Sequence, residues 1–412
     1  MQENDPAPPG IPLAGFMTLN VLVGSSHGIS RVALPLFAAS LHAQSWQIGL
    51  VGGLQFGGLL LLSMPTGALI DRHGSLLLFR IGVLAAALIF AFGLTAASAP
   101  WQLILCVTGL ALVIPLRLVT TNTEFLHLLP SLHPAKAGWN RAANTLGMYF
   151  IGPSLGALLI AALGYPSTFV MLAVAYLGMF VIGSRVLAKA PPGRGSEATP
   201  LVQRVRRQMQ TVIARPMLRR TMLIDMIGQM ALAYFSVFIV LLAMRHFGLG
   251  LQVAAGLVTL QGALFVATLF IGGALTVRWH DDRRYLVAIT LLLGQALLLA
   301  FARSPAWLWG GAALLGVGLG LQQLSSVTRY GQLMKELGRG HGGGLSSMAG
   351  PAGGLSGSVL GGLLSQQWGL PAGFRVLVGL YLLLGWLQWR QVRAVARAAA
   401  QAGEAEPPRH DG

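Results

Sequence analysis

The sequence predicts an all-α integral membrane protein, with twelve transmembrane helices in two six-helix halves related by a pseudo-two-fold repeat. Three observations carry this. Of 412 residues 54% are apolar and only 10% are charged, against roughly 25% charged in soluble chains, so there is too little charge to coat a soluble globule of this length. Apolar runs close to the length that crosses a hydrocarbon core of about 30 Å recur twelve times. One long polar stretch divides them six and six.

The first six runs fall at about 14–37, 46–70, 76–97, 101–126, 139–163 and 166–187. The second six fall at about 219–244, 252–276, 284–303, 305–330, 342–366 and 371–392. Each is expected to be a helix, because a helix satisfies its own backbone groups in lipid. Segments 1–13 and 393–412 read as tails. Between the halves, 188–218 reads as a linker, with a flexible Pro- and Gly-containing part and then LVQRVRRQMQ, which suits a surface-lying amphipathic helix.

Net charge is +16, from 28 Lys and Arg against 12 Asp and Glu. Such an excess raises the question of nucleic acid, but its distribution answers differently. Twenty-one of the 28 basic residues fall in breaks on the side of the N-terminus or in the C-terminal tail. Three, Arg245, Arg303 and Arg375, fall on the opposite side. That asymmetry places both termini in the cytoplasm. The N-terminus MQENDPAPPG lacks a basic region, so no cleaved signal peptide is expected. The lone Cys106 excludes an internal disulfide.

The halves repeat at an offset of about 205 residues. Gly67-Ala-Leu-Ile-Asp71-Arg72 aligns with Gly273-Ala-Leu-Thr-Val-Arg278, Leu116–Phe125 with Leu321–Tyr330, and Gly152-Pro153 with Gly350-Pro351. Repeated six-helix halves are a transporter architecture, with the substrate site near mid-membrane between them.

Gly67-Ala-Leu-Ile-Asp71-Arg72-His73-Gly74, followed by Arg80, resembles the loop signature between helices two and three of the major facilitator superfamily. It departs from that signature at Ser75, where a basic residue is usual. Gly147-x4-Gly152-Pro153-Ser-Leu-Gly156 resembles the helix-five signature of proton-linked drug and metabolite exporters. The resemblance implies a secondary transporter working by alternating access, without a cofactor and active as a monomer in a plasma membrane. It implies a conformational lock built on Asp71, with Arg72, Arg80 and Arg141 as candidate partners. Gly152, Pro153 and Gly156, with Gly350 and Pro351, are candidate helix-bending positions, since proline removes a backbone hydrogen bond.

Charges inside spans are costly unless paired or hydrated. His27 and Arg31 share a face of span one, Arg117 lies mid-span four, and Asp225 lies two turns into span seven. Two guanidiniums suit a carboxylate- or phosphate-bearing substrate. Asp225 or His27 could carry a coupling proton. Asn144, Tyr149, Gln229 and Gln322 are candidate lining residues. Glu124 and Arg329, at matching positions in the two halves, read as members of interfacial ion pairs, with Arg141 or Lys335 named as partners. Met222, Met226 and Met230, spaced by four beside Asp225, raise Cu(I) import as a rival, against ordinary packing.

No Walker-type phosphate loop occurs in the sequence, so an ion gradient is the expected energy source. No polar cluster of a membrane enzyme is found, so enzymatic activity is not expected. The predicted partners are a small-molecule substrate, protons and the bilayer. The expected function is proton-coupled export of an amphiphilic or carboxylate-bearing compound, such as a drug or siderophore-like metabolite. The alternative is uptake of an organic anion or siderophore.

Overall fold

A computed structural model describes residues 13–128, 139–187, 203, 210, 212–276, 278–279, 281–337 and 339–404. The expected surface helix of the linker lies almost wholly outside them.

In the N-terminal half, α1 spans Leu13–Ser40, α2 Ser45–His73, α3 Ser75–Leu88, α4 Pro100–Leu128, α5 Trp139–Leu146 and α6 Gly152–Val186. In the C-terminal half, α7 spans Pro216–Phe247, α8 Leu251–Leu275, α9 Asp281–Ala300, α10 Pro305–Leu337, α11 Arg339–Trp368 and α12 Ala372–Glu404. No strand occurs among the described residues. Nine segments among them are long and apolar enough to cross a membrane, and one of these is the 45-residue stretch Ala142–Val186. That stretch holds two passes, broken where Gly164 takes φ +77°, a left-handed backbone that favours glycine. The helices α10 and α11 carry glutamines, serines and glycines in place of apolar side chains. They can, because much of their surface packs on other helices and not on lipid.

Two details differ from the expected helices. First, α12 continues to Glu404 instead of stopping near 392, because its Ala- and Arg-rich end has high helix propensity. Second, the irregular geometry near Pro153 is a π-turn at Gly147–Ile151 leading into α6, whereas α11 runs continuously through Gly350 and Pro351. A second π-turn, Ile89–Leu94, ends α3.

The halves meet through α2 with α11, the Gly147–Ile151 π-turn and α6 with α8, and α1 with α7. Small residues let these backbones approach closely. A Cβ on Gly49 would lie 2.4 Å from Ser358 O, and one on Gly262 would lie 1.8 Å from Tyr149 O. Polar contacts reinforce the seam. Ser45 N donates to Gln366 Oε1 at 2.9 Å, and Ser154 and Thr259 hydroxyls lie 3.1 Å apart. The named α2–α11 contacts cluster toward the face opposite the chain ends. Toward the chain ends, Gly67 has no neighbour within 4 Å of a built Cβ.

Within the N-terminal half, a Cβ on Gly58 would lie 1.9 Å from Ala111 O of α4, while one on Gly178 meets nothing within 4 Å. Gly58→Val is therefore expected to destabilise the protein by roughly 1–3 kcal/mol, read as a lower melting temperature in detergent. Gly178→Ala should leave that temperature unchanged.

Candidate functional site

Two arginines stand inside the N-terminal half. Arg117 on α4 is 2% exposed. Its Nη1 donates to Ser26 Oγ at 3.1 Å, and its guanidinium lies 5.0 Å from the Tyr176 ring centroid. Its Nη2 is buried without a hydrogen-bond partner. Ser26 can accept because its own hydroxyl donates to Val23 O. On α1, Arg31 is also buried. Its Nη2 donates to Ser236 Oγ of α7 at 3.2 Å, and its guanidinium lies 5.5 Å from the rings of both Phe56 and Tyr149. Ser236 donates in turn to Leu232 O. His27, buried one turn before Arg31, is within electrostatic range of both arginines. Among the described residues no carboxylate forms an ion pair with either one. Aromatic faces and hydroxyl oxygens hold these cations, and neither neutralises them.

Asp225 does not join this group. Ser326 of α10 donates to its Oδ1, as does Gln322 Nε2 at 3.3 Å. Gln322 also donates to Ile224 O at 3.1 Å, and Tyr285 and Tyr330 lie within electrostatic range. Ser236, which receives Arg31, sits about 16 Å further along α7 at 1.5 Å per residue. The two arginines and the acid thus form two sites: a cationic one in the N-terminal half and an acidic one between α7 and α10.

The remaining candidates divide. Tyr149 lies at the seam, against Arg31 and Phe265 of α8. Gln229 packs where Gly353 of α11 approaches α7, and the Asn144 carbonyl faces Gly24 of α1. The side chains of Asp71 and Arg141 lie outside the described residues. Arg72 is exposed, and Gly74 makes the α2–α3 turn with φ +82°. Arg80, expected in the lock, turns elsewhere: its Nε donates to Ser184 at 2.9 Å, beside the Phe180 ring. Glu124 accepts from Ser75. The expected partner of Arg329 is also corrected. It pairs with Asp282 of α9, to which Gln388 of α12 adds a hydrogen bond of 3.0 Å. The methionine ladder is used in packing. Met222 lies against Leu218 and Tyr330, Met230 packs on the main core, and the Met226 and Met230 carbonyls back onto Gly353 and Gly357.

Sequence reasoning missed Tyr176, Ser236, Asp282 and Gln388. For Ser236 a signal existed. It is 205 residues from Arg31, the repeat offset itself, so the two are counterparts that meet across the pseudo-two-fold axis.

A family model of the Major Facilitator Superfamily matches residues 16–336 and 230–410. No curated protein matches in sequence. Two crystal structures of the nucleoside transporter NupG share the fold. A point mutant has a TM-score of 0.74 at 11% identity, covering 91% of this chain and 99% of that one. The other has a TM-score of 0.73 at 12% identity, covering 92% and 98%. A bacterial homolog to the human lysosomal transporter Spinster, inward-facing and unoccupied, has a TM-score of 0.68 at 14% identity, covering 92% and 96%.

Removing one partner of a half-buried, hydrogen-bonded ion pair leaves the other undercompensated. Arg329→Gln should therefore cost roughly 1.5–3 kcal/mol, seen as a lower melting temperature. Pairing it with Asp282→Asn should recover more than half the loss, whereas equal losses would show that the pair contributes nothing.

Proposed function

The chain belongs to the major facilitator superfamily, and from that premise we propose that this secondary transporter exports a small carboxylate-bearing or amphiphilic compound in exchange for protons. The observation that carries the reading is the pair Arg31 and Arg117, buried in lipid-spanning helices without a carboxylate among the described residues. A charge at such depth costs roughly 2.5–3.5 kcal/mol on insertion scales. A substrate anion entering between the halves supplies the missing counter-charge. Arginine binds carboxylates through a fork of donors and does not deprotonate, so it is a fixed anchor. The free Nη2 of Arg117 is a ready donor.

Proton coupling falls to a group that can change charge. Asp225 is the first choice, held by Ser326 and Gln322, and His27 is the second. Rocking of the halves about α1, α2, α7 and α11 exposes the arginines to one side at a time. The seam near Ser45 and Gln366 supports a closed face opposite the chain ends. With both termini cytoplasmic, as the Arg and Lys distribution argues, the protein then opens inward, ready to load cargo for export across a bacterial plasma membrane. The chain acts as a monomer. The export direction rests on the Gly147–Gly156 resemblance to proton-linked exporters.

Binding and transport test separate parts of this. Purified protein should be thermally stabilised by small carboxylates and less by uncharged compounds, nucleosides included. Arg117→Gln should weaken carboxylate binding at least tenfold, about 1.4 kcal/mol, and spare neutral ligands; equal losses would make Arg117 structural. In proteoliposomes, Asp225→Asn should abolish transport driven by a pH gradient while binding persists. Full retention of that transport would remove Asp225 from the coupling path. Substrate moving with the proton would reverse the direction.

A further inference from the structure

At the face carrying the chain ends, the start of α7, the α8–α9 turn and the end of α10 enclose an open cavity of about 810 Å³. It lies in the C-terminal half, away from Arg31 and Arg117. Its polar lining includes Arg220, Arg284, Arg329, Asp281 and Asp282. Both acids are engaged by the floor itself: Asp282 by Arg329 and Gln388, and Asp281 by Arg284 Nη2 at 2.9 Å. The Nε of Arg284 is buried with no acceptor, so this guanidinium retains donor capacity. Arg220 of the lining is exposed, as are Arg219, Arg278 and Arg283, which adjoin lining residues in the chain. Among the described residues named here, six arginines stand against two acids.

The surroundings are those of a membrane interface. Trp279, with Arg283 stacked 5.0 Å from its ring centroid, marks the mouth, and tryptophan prefers the headgroup level. The last turns of α8, which lead into Trp279, leave Phe270, Ile271 and Leu275 at 68%, 58% and 73% exposure. A ligand seated here meets basic donors in the cavity, and the helix that leads to Trp279 carries exposed apolar side chains in its last turns.

We propose that this cavity binds the phosphate of an anionic phospholipid headgroup, with the acyl chains lying along the apolar end of α8. Forked guanidiniums suit phosphate oxygens, and anionic lipids concentrate basic surface segments at the membrane. A free phosphate would use the same donors but not the apolar end of α8. Occupancy ties the start of α7 to the α8–α9 turn and so stabilises the C-terminal half as one body. This site is independent of the substrate reading, and its failure would leave that reading intact.

The test uses purified full-length protein in a neutral detergent, with melting temperature as the readout. Dioctanoyl phosphatidylglycerol should raise it by several degrees. Dioctanoyl phosphatidylcholine and inorganic phosphate should each give less than half that shift. Arg220→Gln combined with Arg283→Gln should lose at least half of the phosphatidylglycerol shift, measured from its own lipid-free melting temperature. Arg245→Gln, on the opposite face, should lose none. Equal shifts from the two lipids, a full shift in the double variant, or an equal loss in Arg245→Gln would each overturn the site. An inorganic phosphate shift equal to that of phosphatidylglycerol would overturn the lipid as its source.

Discussion

Charge placed inside a hydrocarbon layer must find its partners within the bundle, because no water is at hand to hydrate it. That constraint organises the interior of this protein. Each charge within a span or at its end is met differently. Arg329 has Asp282, Gln388 and the Tyr285 face, 4.2 Å from its guanidinium. Asp225 has Ser326 and Gln322. Arg117 and Arg31 have hydroxyl oxygens and aromatic faces, which hold a cation in place without neutralising it. Arg329 is neutralised within the C-terminal half. The arginines of the N-terminal half are incomplete as charge, and it is there that a ligand has something to add.

The repeat gives the incomplete site its position. Arg31 and Ser236 are counterparts on α1 and α7 and meet where the halves join. A contact between repeat-related residues is short-range only near the symmetry axis, which is also where a rocking motion pivots. Arg31 therefore reports on both halves at once. Tyr149 and Phe56, which flank it, belong to the π-turn and to α2, which pack on α8 and α11 respectively. Glycine-lined seams let these helices approach within backbone distance, so small changes at the arginine reach the contacts that close one face.

Glu124 and Arg329 show how the halves diverged. They occupy matching positions and have opposite charge. The N-terminal one is met by the Ser75 hydroxyl and the C-terminal one by a carboxylate. Duplicated architecture has kept the place of a polar contact and changed its chemistry, leaving a stronger internal tie in the C-terminal half.

Spans, their number, the six-and-six division and the repeat were legible in the sequence because each follows from local composition. Twenty apolar residues need lipid or a core, and the period of the repeat is written along the chain. Intramembrane charges were legible as anomalies for the same reason. Their partners were not. Arg80 turns to Ser184, Arg329 to Asp282, and Asp225 away from Arg31 to α10, because which helices adjoin and how they are rotated depends on packing between distant segments. The continuous α11 through Pro351 and the break at Gly164 were decided similarly, by neighbours that hold or release the backbone. The sequence by itself determined that this chain is a two-fold-repeated membrane bundle with a few costly charges inside it. Only the tertiary structure decided which of those charges are satisfied, since satisfaction is a matter of distance and distance between helices is set by packing.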